Sequence, residues 1–111
     1  MDERRARELL EAERRRIERA LSGLARGDDA EPADEYDPGN LASDLYQDEL
    51  DEALEDDLRE RLAAVQRAEQ RLADGTYGLS IESGEPIPDA RLEALPTAER
   101  TAEEERARRT P

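Results

Sequence analysis

The sequence predicts a mostly α-helical protein: a long antiparallel helical hairpin of coiled-coil type, then a small compact lobe and a C-terminal helix. Three observations carry this. Two long segments place leucines and isoleucine three, four or seven residues apart, the spacing of one helix face. A proline-broken acidic stretch separates them, and beyond residue 74 the chain shortens into glycine and proline turns.

The first helix is expected from about Asp2 to Arg26. Leu10, Ile17, Leu21 and Leu24 form its stripe, which Leu9, Ala12 and Ala20 widen. Glu3 with Arg7 and Glu11 with Arg15 stand in the favourable i,i+4 order. Gly27 is a C-terminal stop. From Asp28 to Asn40 the chain reads DDAEPADEYDPGN, where two prolines, a glycine and six acidic residues oppose a helix interior. This is a connector and a concentrated patch of negative charge.

Helical sequence resumes at Leu41 and runs to about Asp74. Its stripe comprises Leu41, Leu45, Leu54, Leu58, Leu62, Val65, Ala68 and Leu72, and is weakest near the connector. Neither stripe can be buried alone, and a short connector favours antiparallel pairing. The organisation is therefore a hairpin over 1–74, with its acidic connector at about 28–40, and a lobe with a final helix over 75–111. In the lobe, at most two short strands are expected between Thr76 and Ile87. Asp89 is a candidate cap for a short helix through Leu95, and Thr97 for a last helix to about Arg109.

The composition limits what such a protein can do. With 111 residues, 35% hydrophobic, 43% charged, three tyrosines and no Phe or Trp, a large globular core is excluded. The net charge is −14, and all seventeen basic residues are arginine. That balance opposes phosphate-backbone binding, so no direct nucleic-acid contact is expected, and a basic cleft on another protein is the natural partner. The C-terminal run from Arg100 to Arg109 is interleaved with Glu103, Glu104 and Glu105 and reads as a solvated helix. No apolar run is long enough for a bilayer and no signal segment opens the chain, so a cytoplasmic location without membrane contact is expected. There is no Cys and no His, which removes disulfides, thiol chemistry and most acid–base and nucleophilic catalysis. No catalytic residue is assigned, no phosphate-cradling motif is present, and an enzyme is not expected.

The segment from Ala73 to Pro96 narrows the reading. Asp74, Gly75, Thr76, Tyr77, Gly78, Gly84, Glu85, Pro86 and Ile87, then Arg91, Leu92, Glu93, Ala94, Pro96 and Ala98, follow the pattern D-G-T-Y-G-x-C-x-x-C-G-E-P-I, R-L-E-A-x-P-x-A. The chain resembles the TraR/DksA family of bacterial transcription factors from roughly Pro38 to Glu105, with its specific motifs in the C-terminal half. The family's four zinc-binding cysteines are replaced by Ser80, Ser83, Thr101 and Glu104. Hydroxyls are too weakly basic to hold zinc, so no metal and no cofactor are expected. Tyr77, Leu79, Ile81, Ile87, Leu92 and Leu95 are expected to supply an apolar cluster in the metal's place.

The resemblance also implies a partner. The family's coiled-coil tip carries Asp-x-x-Asp-x-Ala and enters the secondary channel of RNA polymerase. Here the matching residues are Asp37, Asn40 and Ala42, with asparagine in place of the second aspartate. A TraR/DksA-like regulator that binds RNA polymerase is one reading. A small acidic protein-interaction module that has lost the polymerase role is the other. The sequence leaves monomer and dimer open, along with activation against repression and any response to alarmones.

Overall fold

The computed structural model describes residues 1–27 and 41–109, with the backbone alone for 26–27 and 41–45. Four helices follow in order among these residues: α1 (Glu3–Gly27), α2 (Leu41–Asp74), α3 (Asp89–Ala94) and α4 (Ala102–Arg109). No helix is long and apolar enough to cross a membrane among the described residues.

The α1 helix starts beyond Asp2, whose Oδ1 accepts the Arg4 N–H at 3.4 Å. It packs antiparallel on α2 within the same chain. Ile17, Leu58 and Val65 make the central cluster, with Leu21, Leu24 and Leu62 against it. Ala6, Leu10 and Ala68 are buried as well. The 3.6-residue period accounts for most of this seam, and Ala6 joins it as a small residue four before Leu10. Ala12 and Ala20, expected to widen the stripe, are exposed instead. Arg14 crosses the hairpin to pair with the Glu69 carboxylate through Nε and Nη2.

Leu54 departs from the expected seam and is exposed. Residues four apart advance by about 40° around a helix, so Leu58, Leu54, Leu50 and Tyr46 walk steadily off the contact line. Asp51 and Glu55, half-buried, take their place opposite the end of α1.

The α2 helix stops where Gly75 adopts φ +79°, a left-handed cap that allows the Thr76 N–H to close on the Arg71 carbonyl at 2.9 Å. The following turn contains a single antiparallel bridge between Leu79 and Pro86 in place of paired strands. Ile87, Leu92 and Ala98 then form a second cluster, packed by Met1 and Tyr77. The Tyr77 hydroxyl donates to the Pro96 carbonyl at 2.7 Å. Of the six residues expected in this cluster, Leu79, Ile81 and Leu95 are exposed. They lie in turns, where no period dictates which side a residue faces.

Both short helices begin differently from expectation. Pro88 is the N-cap of α3 and offers no side-chain bond, while Asp89 is already its first helical residue. Thr101, not Thr97, caps α4. Its Oγ1 accepts the Glu104 N–H at 3.2 Å, and Glu104 Oε1 accepts the Thr101 N–H at 2.9 Å. That exchange is a reciprocal capping box.

The lobe is bound to the base of the hairpin by ion pairs. Glu99 receives Arg67 at 3.1 Å and Arg71 at 3.2 Å. Arg5 holds Glu93, and the Met1 ammonium lies 2.9 Å from Asp89.

Candidate functional site

Ser80, Ser83, Thr101 and Glu104 come from two separate pieces of chain, and the structure gathers all four at one place. The turn carrying the serines is fixed by its backbone. Gly78 and Gly84 hold φ at +86° and +76°, a region other residues rarely adopt. The Ser80 N–H donates to the Glu85 carbonyl at 2.8 Å, and the Gly84 N–H returns to the Ser80 carbonyl at 2.9 Å. The Ser80 side chain, only 5% exposed, accepts the N–H groups of Glu82 at 3.1 Å and Ser83 at 3.3 Å. The opposite wall is the start of α4. Two cross-links bring the walls together: the Ile81 N–H donates to the Glu99 carbonyl at 2.9 Å, and Arg100 reaches Glu82 at 2.8 Å.

The Glu104 carboxylate sits between these walls. It accepts the Thr101 N–H at 2.9 Å, and that bond together with the polar Ser80, Ser83 and Thr101 hydroxyls lowers its pKa to about 2 against the opposing effect of desolvation. Donors aimed at an oxygen stabilise its ionised form. This arrangement does not fit a zinc ion. Three hydroxyls and one carboxylate lack the thiolate or imidazole donors that zinc selects, and each of the three hydroxyl oxygens already accepts a backbone N–H. Among the described residues no group of three or more His, Cys, Asp or Glu converges as a metal site. A hydrogen-bonded clasp centred on Glu104 occupies the position instead. Sequence reasoning treated these four residues as vacated ligand positions, although Thr101-x-x-Glu104 carried the pattern of a capping box.

The tip residues stand apart from this clasp in sequence. Asp37 and Asn40 lie outside the described residues. Ala42 is in the first turn of α2, where only the backbone is described. The ion pairs at the hairpin base had no local signal, because Arg5 and Glu93 are 88 residues apart. The Arg71 guanidinium also keeps one buried nitrogen, Nη2, without a hydrogen-bond partner among the described residues.

The whole backbone can be compared with solved proteins. It superimposes on the transcription factor DksA2 from Pseudomonas aeruginosa with a TM-score of 0.80 and 30% sequence identity, over 96% of this chain and 82% of that one. This chain belongs to the TraR/DksA family. Within the family it is a cysteine-free member that lacks all four zinc ligands. Among curated relatives it is 46% identical over 66 residues to the uncharacterised YteA of Bacillus subtilis, covering 60% of this chain and 28% of that protein. It is 42% identical over 67 residues to general stress protein 16O of the same organism, 60% of this chain and 39% of that one. It is also 43% identical over 65 residues to a Caulobacter vibrioides protein named RNA polymerase-binding transcription factor DksA, 55% of this chain and 46% of that one. The chain thus spans less than half the length of these curated relatives. No family model matches it.

Proposed function

We propose that this TraR/DksA-family protein is a transcription regulator that binds RNA polymerase, entering the secondary channel with its hairpin while a metal-free lobe carries the base. It is not an enzyme on this reading. The observation that carries it is the shared architecture, hairpin and lobe together, with a solved DksA-type factor over nearly the full chain. The name of the Caulobacter relatives, RNA polymerase-binding transcription factor, adds the partner.

The sequence supplies the chemistry of such an encounter. An α2 of 34 residues gives a rod on the order of 50 Å long, enough to reach deep into a channel. The connector at its far end holds six carboxylates, which a basic passage would attract, so the association rate falls steeply with added salt. Asp37 is the acidic contact at the tip, and Ala42 permits close approach by being small. Asn40 keeps hydrogen bonding but gives up the charge that a second aspartate would bring near a catalytic cation. Binding is therefore retained better than any effect on catalysis. That same Asn40 favours a second reading, an acidic interaction module without a polymerase role.

A pull-down of RNA polymerase with the wild-type chain and with Asp37→Ala separates the two. Capture that falls for Asp37→Ala supports the tip contact. Failure of the wild-type chain to capture polymerase leaves the interaction module. Asn40→Asp is expected to add a change in open-complex lifetime without tighter binding.

A further inference from the structure

The far half of α2 carries an apolar ridge that nothing in the fold described above uses. Tyr46 is 64% exposed, Leu50 45% and Leu54 47%. They stand four residues apart, so they align along one side of the helix over about 12 Å. Large apolar side chains grouped on the surface of a small, strongly charged protein mark a contact surface more often than chance exposure. The ridge does not stand alone. Between Asp48 and Glu60 the helix has eight acidic residues and one arginine. At the helical period Asp51 and Glu55 fall on the side facing α1, and Glu49, Asp56 and Glu60 on the other. Beside the first flank runs a groove of about 500 Å³, walled by Asp48, Asp51, Glu52 and Glu55 over Leu21 and Leu24.

We infer that Tyr46, Leu50 and Leu54 form a docking ridge for a basic amphipathic helix of a partner protein. An apolar strip between two rows of carboxylates is complementary to a helix with leucine-like residues on one face and Lys or Arg along both borders. A second copy of this chain is a poor occupant. Its own ridge would bring the same carboxylates into register, in a molecule of net charge −14, and like charges placed face to face oppose association. The ridge rests on residues other than the proposed tip contacts Asp37, Asn40 and Ala42, although it lies on the same arm of the hairpin.

The test uses the full chain and two fluorescent helical peptides of equal positive charge. One has leucines at positions i, i+4 and i+8, and the other has serines there. The leucine peptide is expected to bind the wild type at least about tenfold more tightly than the serine peptide, the order of one buried leucine in a contact. Leu50→Gln with Leu54→Gln should reduce that preference to about twofold or less, with an unchanged helical circular-dichroism signal, since both positions are already exposed. Asp51→Asn with Glu55→Gln should weaken both peptides together and flatten their salt dependence. Equal binding of the two peptides to the wild type would overturn the proposal, because charge alone would then explain it. So would a dimer in sedimentation that dissociates in the Leu50→Gln, Leu54→Gln variant, which would assign the ridge to a second copy. Peptide binding that appears only when residues 28–40 are exchanged for a Gly-Ser linker would assign it to the chain's own connector. Polymerase capture by the same variants is a separate readout, so either idea can fail without the other.

Discussion

Arg5 and Glu93 meet through two parallel hydrogen bonds, Nε to Oε1 at 2.9 Å and Nη2 to Oε2 at 2.8 Å. The pair joins the first turn of α1 to α3, and each partner shifts the other toward its charged form: the hydrogen bond raises the Arg5 pKa and lowers that of Glu93. A bidentate guanidinium–carboxylate contact fixes orientation as well as distance. Both side chains are about half exposed, so its effect is geometric more than energetic.

Glu93→Ala is therefore expected to loosen the junction without melting the hairpin. Amide hydrogen exchange should speed up in α3 and in the first turn of α1, and remain slow around Leu58 and Val65. Uniform acceleration along the chain would show that the pair supports global stability instead. Arg5→Lys should reproduce most of the effect, because an ammonium cannot present the two-pronged geometry.

The Glu104 clasp gives a pH dependence of definite sign. Its folded pKa is about 2, below the ordinary value of 4.5. The ionised carboxylate therefore contributes stability that is complete above about pH 4.5 and is lost as pH falls toward 2. The melting midpoint of the wild type should drop through that interval, and Glu104→Gln should flatten this part of the curve. A carboxyl resonance of Glu104 titrating near 4.5 in the folded protein would refute the clasp.

Capping can be separated from the clasp's charge. Thr101→Ala removes the α4 cap and should destabilise the protein by about 1 kcal/mol, read as a lower denaturant midpoint. Thr97→Ala should have a smaller effect, because Thr97 caps no helix. Equal losses would restore the sequence-based assignment.

Converting all four clasp positions to cysteine should create a metal site. Ser80→Cys, Ser83→Cys, Thr101→Cys and Glu104→Cys together bring four thiols to one place, the donor set zinc prefers in tetrahedral sites. Stoichiometric zinc in metal analysis, and thiolate-type absorption with cobalt, are the expected results. Absence of both would mean that the four positions do not converge as closely as Glu104's hydrogen bonds indicate.

The lobe's small core should be sensitive to single cavities. Leu92 is fully buried between Ile87 and Ala98, and Leu92→Ala is expected to cost about 2–5 kcal/mol. Leu95→Ala, at an exposed position, should stay within about 0.5 kcal/mol. A denaturant titration of the two variants checks the contrast.

The elements of this fold were more legible than its contacts. Ile17, Leu58 and Val65 could be assigned to a seam because a helix converts sequence spacing into direction. The end of α2 near Asp74 could be read because a glycine, the usual helix stop, follows it. The same logic misplaced Leu54, since steps of four drift around the helix, and it had no hold on Leu79, Ile81 and Leu95 in the turns. Met1 and Ala98 entered the lobe core without any periodic signal, and Arg5–Glu93 and Arg71–Glu99 arise only from tertiary folding. In the candidate site, the family pattern located Ser80, Ser83, Thr101 and Glu104 together. The pattern marks them only as vacated ligands, because nothing in the spacing of Ser80 and Ser83 signals that they lie beside the Thr101–Glu104 cap. Asp37 and Asn40 remain expectations of the resemblance.

Glu99, gripped by Arg67 and Arg71 at the base of α2, sits at the fulcrum of a lever. The helix it holds runs on the order of 50 Å, so a rotation of about 5° at these guanidinium contacts would sweep the far end by roughly 4 Å. That displacement exceeds the reach of a hydrogen bond. The aim of the hairpin's distal end is therefore sensitive to contacts at the opposite end of the molecule, ionic at Glu99 and apolar around Met1. A change at Glu99 would move that distal end without altering a single residue there.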